Sequence, residues 1–241
     1  MKFAILCCTY ARPHLLPHAI ESFLRQDYPA SGREMIILDD NDQYVSQSRD
    51  GWRLISVPSR FRTLGEKRNA NAALASADVD AYVVWDDDDI YLPHTLSAHR
   101  EALRHAEWSL PSKVLIEQKD GALHTKPNRT LFHSGWAFTR KAFERVGGYP
   151  FMQSGQDQAL GARFRRAGID PSDPIARFSP YLIYRWTTSD CWHLSAMDKQ
   201  TGYQRLAAYR HQAPPIQQID PYWPRPYESP IDAPAALGQI P

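Results

Sequence analysis

Short apolar runs that end abruptly in polar residues are the feature of this sequence that most restricts its fold. Continuous apolar stretches cover residues 3–8, 35–38 and 81–85. Such runs are typical of strands that are buried on both faces, as in parallel sheets. Each run is followed at once by a polar cluster, and the three clusters are Thr9-Tyr10-Ala11-Arg12, Asp39-Asp40-Asn41-Asp42 and Asp86-Asp87-Asp88-Asp89.

Amphipathic segments lie between these predicted strands. Pro13 suits a first helical turn, and it precedes one apolar stripe made of Leu15, Leu16, Ala19, Ile20, Phe23 and Leu24. Further helices are predicted at 65–77 and 95–105, and a further strand at 53–57. The order strand, helix, strand, strand, helix, strand predicts an α/β fold with a single Rossmann-like, mostly parallel sheet flanked by helices. Ligands of such sheets bind beyond the carboxyl ends of the strands, so the three polar clusters predict one shared site.

The second half of the chain is less regular. It is predicted to contain strands at 114–117 and 136–138, and helices at 140–146, 157–167 and 198–211. Residues 212–241 contain eight prolines and little periodicity. This tail is predicted to be extended along the surface or disordered.

Charge and cysteine content exclude some classes of protein. The chain of 241 residues carries 28 basic and 27 acidic residues, a formal net charge of +1, which argues against a general binder of nucleic acids or membrane surfaces. Its three cysteines, Cys7, Cys8 and Cys191, form no Cys-x-x-Cys pair. That pattern favours a reducing compartment and no structural zinc. No apolar stretch approaches about 20 residues, so we expect a cytoplasmic protein without a membrane span.

The four aspartates at 86–89 need a positive partner, because neighbouring carboxylates repel one another and raise each other's pKa. An acidic cap on the following helix would account for one or two of them. Clustered carboxylate oxygens are ligands that suit Mg²⁺ or Mn²⁺. The run therefore predicts a divalent metal site at the end of the strand 81–85.

An ordered set of motifs resembles family 2 glycosyltransferases. The matching segments are Cys8-Thr9-Tyr10-Ala11-Arg12-Pro13, Ser22 to Pro29, Ile36 to Asn41, Gly65-Glu66-Lys67-Arg68-Asn69, Trp85 to Pro93, Gly147-Gly148-Tyr149 and Gly155-Gln156-Asp157. The resemblance covers roughly residues 3–195 and implies a GT-A fold with a nucleotide-sugar donor, most often a UDP-sugar. It implies one domain over 1–211, with a nucleotide-binding half at 1–105, an irregular acceptor-binding half at 106–211, and the tail at 212–241.

The resemblance also assigns roles at the donor site. Asp86-Asp87-Asp88 stands at the Asp-x-Asp motif, in a register uncertain by one residue: Asp88 would ligate the metal, and Asp86 would reach the ribose or the metal. Asp40 would bind the uracil edge, and Thr9, Tyr10 and Arg12 would line the base and ribose pocket. Alternatively, Asp39 and Asp40 only cap a strand end.

Three further residues complete the implied site. Arg68 would approach the phosphates, unless it is a surface charge on an alanine-rich helix. Asp157 would be the catalytic base of an inverting reaction, although Gln156 stands where the family usually has Glu. Asp157 could equally cap its helix, and the two roles are compatible. His193 would complete the metal shell, or it is a structural histidine.

Two other functions stay open. A non-catalytic protein of the same fold could bind a nucleotide sugar or a carbohydrate. A nucleotidyltransferase would need a glycine-rich phosphate loop after the first strand, and Thr9-Tyr10-Ala11-Arg12 has no glycine. The acceptor is open among a glycan, a lipid-linked glycan, a small molecule and, least favoured, modified DNA bound by the basic segments at 60–68 and 163–166. The donor sugar is also open.

Overall fold

The computed structural model describes residues 1–185 and 214–228. In the first half the strands are β1 (Phe3–Thr9), β2 (Arg33–Asp39), β3 (Gln47–Arg49), β4 (Trp52–Ser56), β5 (Ala81–Asp86) and β6 (Ile90–Tyr91). The helices there are α1 (Leu16–Leu24), α2 (Leu64–Ala73) and α3 (Thr95–Ala102), with a 3-10 turn at Ala30–Gly32.

The second half adds shorter elements. Its strands are β7 (Trp108–Ser109), β8 (Lys113–Glu117), β9 (Leu123–Pro127), β10 (Ala137–Thr139), β11 (Pro171–Ser172) and β12 (Leu182–Tyr184). Its helices are α4 (Arg140–Arg145) and α5 (Gln156–Arg166), with a 3-10 turn at Pro174–Ala176. The helix predicted at 198–211 lies outside the described residues.

The central sheet has the strand order β11-β7-β10-β5-β1-β2-β4-β3. Its middle is parallel, since β1 pairs in parallel with β2 and β5, and β2 with β4. Strands β3 and β10 pair antiparallel with their neighbours. The predicted α/β fold with a mostly parallel central sheet is therefore confirmed.

Both faces of this sheet are buried because alternate residues of its strands enter two cores. Phe3 and Ile5 pack on the side of α1, whereas Ala4 and Leu6 join the aromatic cluster around Trp108 on the other side. All four residues are at most 6% exposed. This double burial explains why the central strands read as continuous apolar runs.

A second sheet of four strands, in the order β6-β12-β8-β9, lies beside the site. Strand β6 begins just after the four aspartates and pairs antiparallel with β12. The described part of the tail, 214–228, crosses other elements: Ile216 bridges to Tyr44, and the Nε1 of Trp223 donates to Ser22 Oγ at 2.9 Å. None of the helices in the described residues combines the length and the hydrophobicity that a bilayer crossing requires.

Some predicted boundaries are wrong. Helix α1 begins at Leu16 and not at Pro13, because the backbone turns at Ala11, where φ is +54°, and a turn closed by Leu15 N donating to Arg12 O comes first. Helix α2 ends at Ala73 and not at 77, since Leu74 and Ala75 turn back in tighter hydrogen bonds.

Candidate active site

The three polar clusters meet because their strands are in register. Thr9 lies opposite Asp39 in the β1–β2 pair, and Cys8 lies opposite Asp86 in the β1–β5 pair. Across this edge the hydroxyl of Thr9 donates to Asp87 Oδ2 at 2.6 Å. The predicted convergence at the carboxyl ends of the strands is confirmed.

Arg12 neutralises part of the negative charge of residues 86–89, the aspartate turn between β5 and β6. Its Nη1 donates to Asp88 Oδ2 at 2.5 Å, and its Nη2 donates to Asp87 Oδ1. Burial raises the pKa of Asp87 to about 6 and Arg12 opposes that rise, while burial and then Asp88 raise the pKa of Asp89 well above its usual range. The predicted positive partner therefore lies among the four aspartates, and it is Arg12.

Three of the four aspartates face one another. Asp86, Asp88 and Asp89 each offer a carboxylate oxygen, and these oxygens lie within 4.8 Å of one another. Asp87 instead points to Thr9 and Arg12. The predicted pair Asp86 and Asp88 is thus brought together, and Asp89 joins it as a third carboxylate that the motif did not identify. An all-oxygen donor set fits Mg²⁺ or Mn²⁺.

Arg185 is buried and donates hydrogen bonds to the aspartate turn. It is 3% exposed, its Nε donates to the Asp88 carbonyl at 2.6 Å, and its backbone N–H donates to Asp89 Oδ1 at 3.3 Å. Its Nη1 lies 3.1 Å from His18 Nδ1. Burial and then the charge of Arg185 lower the pKa of His18 to about 3, so the neutral imidazole accepts this bond. No local sequence pattern indicated Arg185, because it is 97 residues from Asp88.

Arg68 lies at the same edge, on α2. Its side chain is 12% exposed and its Nη2 is 3.2 Å from Asp86 Oδ1. Burial lowers the pKa of Arg68, but the charge of Asp86 and, more weakly, of Asp157 raises it above its usual range. The alternative of an exposed surface charge on this helix is therefore wrong.

Asp40 is held by a lysine that sequence reasoning missed. Lys67 is 4% exposed, and its Nζ donates to Asp40 Oδ1 and, at 2.6 Å, to the Thr9 carbonyl. The Phe61 N–H donates to Asp40 Oδ2 at 3.1 Å. Its neighbour Asp39 is the strand-end cap, since it accepts from the backbone of residues 41 and 43 and from Ser56. The signal was present, because Lys67 stands within the Gly65–Asn69 motif.

The ring of Tyr10 lies close to two cations. The guanidinium carbon of Arg60 lies 4.0 Å from the centroid of the Tyr10 ring, and Lys67 Nζ lies 5.9 Å from it. The Tyr10 side chain is half-buried.

Asp157 lies in the first turn of α5. The N-cap of this helix is Gly155, with φ +73°, so Asp157 is not the cap. Its carboxylate still faces the favourable end of the helix dipole. The preceding loop is fixed to α2: Gly65 N donates to Met152 O at 3.1 Å, and a Cβ on Gly65 would lie 2.0 Å from Pro150 O. His193 lies outside the described residues.

Comparison with known proteins identifies similar sequences and folds. The sequence profile of Glycosyl transferase family 2 matches residues 4–155. No curated protein matches the chain. Among solved structures, residues 1–349 of S. aureus TarS in complex with UDP-GlcNAc superpose with a TM-score of 0.61 at 15% identity, covering 87% of this chain and 66% of that one. TarS in complex with UDP gives a TM-score of 0.57 at 14% identity, covering 87% and 65%.

A second kind of neighbour is the mannosyltransferase PcManGT from Pyrobaculum calidifontis in complex with GDP-Man and Mn²⁺. It gives a TM-score of 0.54 at 18% identity, covering 76% of this chain and 56% of that one. The chain thus spans about two thirds or less of the length of these structures. The likeness supports the predicted GT-A fold. Since the profile covers more than half of its length, the chain belongs to Glycosyl transferase family 2.

Proposed function

We propose that this protein is an inverting glycosyltransferase that moves a sugar from a nucleotide sugar to an acceptor hydroxyl, with a UDP-sugar as the favoured donor. The observation that carries the proposal is the group of three carboxylates, Asp86, Asp88 and Asp89, at the carboxyl edge of a family 2 sheet. The neighbours in complex with UDP-GlcNAc and with GDP-Man support a nucleotide sugar as the donor.

The carboxylate group would hold Mn²⁺ or Mg²⁺ through Asp88 and Asp86, with Asp89 beside them. When bound, the cation would act as a Lewis acid that neutralises charge on the departing diphosphate. Arg12 and Arg68 already lie against these carboxylates. Their guanidinium groups are suited to phosphate oxygens, so both would turn part of their hydrogen bonding to the diphosphate.

The base pocket would be formed by Asp40, Thr9 and Tyr10. Arg12, which the resemblance also places in this pocket, pairs with Asp87 and Asp88 and is therefore assigned to the diphosphate. The carboxylate of Asp40 can accept the N–H of uracil, and Lys67, which donates to that carboxylate and to the Thr9 carbonyl, holds it in a fixed orientation. Guanine offers an N–H at a similar edge, so UDP and GDP are both to be tested as the nucleotide.

Asp157 would accept the proton of the acceptor hydroxyl as that oxygen attacks the anomeric carbon. Attack from the face opposite the diphosphate inverts the configuration. Two observations support this role. Asp157 is half-buried and is not the N-cap of its helix, and the loop before that helix is fixed to α2, which also carries Arg68.

The test is release of nucleoside diphosphate and transfer of label from UDP-, GDP- and dTDP-sugars, with Mn²⁺ or Mg²⁺, to polysaccharide, lipid-linked, small-molecule and hydroxylated-DNA acceptors. Asp157→Asn should lower transfer by about 10²- to 10⁴-fold and leave donor affinity unchanged. Asp170→Asn is the matched control, because Asp170 is exposed beyond the end of α5. Undiminished transfer by Asp157→Asn would remove it as the base, and donor binding without any turnover would favour the non-catalytic alternative.

A further inference from the structure

The loop between β4 and α2 brings an arginine onto the candidate base pocket. Arg60 is exposed on this loop, yet its guanidinium lies 4.0 Å from the centroid of the Tyr10 ring. The contact of an exposed arginine with an aromatic ring is worth about a 2- to 5-fold change in an equilibrium constant. That gain is small enough to be exchanged for an equivalent contact with another flat ring.

The loop that carries Arg60 is anchored to the residue that would read the base. At its start, Val57 N donates to Asp39 O at 3.0 Å, and in its middle Phe61 N donates to Asp40 Oδ2 at 3.1 Å. At its end, Thr63 caps α2 by accepting from Glu66 N at 3.1 Å. The position of Arg60 is thus tied to Asp40, because the peptide that joins Arg60 to Phe61 donates to the Asp40 carboxylate.

We infer that Arg60 is a nucleobase-binding residue: its guanidinium covers Tyr10 in the free protein and stacks on the base of the bound nucleotide. The inference rests on the proposed function, since it takes the pocket of Asp40 and Tyr10 to be the donor's base site. Arginine is suited to this role because its planar, delocalised cation stacks on aromatic faces and on bases. This stacking of Arg60 on the base, the Arg60 clamp, recognises a flat ring rather than a phosphate.

A second explanation makes a different prediction. If Arg60 only attracts the anionic donor, its charge matters and its plane does not. Lysine would then replace it fully, and a ligand without a base would be affected as much as a nucleotide. The affinity of Arg60→Lys for the nucleotide and the affinity of each variant for pyrophosphate therefore distinguish the two explanations.

The experiment is calorimetric titration of the full-length chain in Mn²⁺ with pyrophosphate and with whichever of UDP, GDP and dTDP the wild type binds most tightly. The variants are Arg60→Ala, Arg60→Lys and, as the matched control, Arg62→Ala. Arg62 is an exposed arginine two residues away, and its backbone N–H donates to Glu66 Oε2 at 3.1 Å. A cation–π contact that a bound base shields from water is stronger than the exposed contact with Tyr10, and it corresponds to about a 3- to 30-fold change in affinity.

We expect Arg60→Ala to weaken nucleotide binding by about 3- to 30-fold. Arg60→Lys should also weaken it, by at least half of the change in binding free energy that Arg60→Ala causes. Pyrophosphate binding should change less than about 2-fold in every variant, and Arg62→Ala should match the wild type. Equal losses for nucleotide and pyrophosphate, or full function of Arg60→Lys, would overturn the clamp while leaving the donor site intact. Failure of the wild type to bind any of the three nucleotides would overturn the proposed function and the clamp with it.

Discussion

The buried pair of Lys67 and Asp40 gives the sharpest energetic prediction. Both side chains are at most 6% exposed, and the lysine ammonium donates to the carboxylate and to the Thr9 carbonyl. Replacing Lys67 by Met leaves a buried carboxylate that keeps the hydrogen bond from the Phe61 N–H and loses its cationic partner. Breaking a buried pair on one side costs about 3–5 kcal/mol, a large part of a typical stability of about 5–15 kcal/mol.

A double-mutant cycle tests this coupling. Its second single variant, Asp40→Asn, leaves the Lys67 ammonium with neutral acceptors and should cost about 1.5–3 kcal/mol of stability. In the double variant no buried charge is left without its partner. Its loss of stability should therefore fall below the sum of the two single losses by at least about 2 kcal/mol. The measurement is equilibrium urea unfolding followed by tryptophan fluorescence.

An exposed pair provides the control. Arg104 follows the end of α3 and is 61% exposed, and its Nη1 lies 3.2 Å from Glu101 Oε2. Arg104→Met should therefore change the unfolding free energy by less than about 1 kcal/mol. Single losses at Lys67 and Asp40 that add within about 0.5 kcal/mol would refute the reasoning, because uncoupled charges behave in that way.

Two further predictions concern packing and pH. Gly65→Ala places a Cβ 2.0 Å from Pro150 O, so it should cost about 1–3 kcal/mol in urea unfolding and slow transfer by displacing the loop before α5; unchanged stability and rate would show that the contact is loose. Burial lowers the pKa of His99 to about 3, so between pH 6.5 and 3 the unfolded state binds a proton that the native state does not. Stability should fall with falling pH by about 1.4 kcal/mol per unit from this group, and the slope measured for His99→Gln should be shallower by that amount; equal slopes would contradict it.

The sequence predicted the parts of the fold whose physics is local. Strands β1, β2 and β5 are buried on both faces, so each reads as a continuous apolar run. Strands β6, β7 and β11 have two residues each, too few for any periodicity to register. They exist because neighbouring strands offer hydrogen-bond partners, which a single segment of sequence does not reveal.

The site divides in the same way. The motif correctly predicted that Asp86 and Asp88 lie together at the carboxyl edge of the sheet. The parallel register of β1 with β5 places Thr9 beside them. Lys67 was missed because a lysine on an alanine-rich helix usually faces solvent, whereas here the helix packs over β1. Arg185 was missed because its contacts with the aspartate turn depend on the pairing of β12 with β6.

The most direct test of a metal-dependent donor site at the aspartate turn is calorimetric titration of the protein with UDP in Mn²⁺ and again in EDTA, repeated with Asp88→Asn. The account predicts micromolar binding in Mn²⁺ that is lost in EDTA and strongly weakened by Asp88→Asn, because Asp88 is one of the three carboxylates that would hold the cation. UDP binding that is equally tight in EDTA, or that Asp88→Asn leaves unchanged, would contradict the metal site.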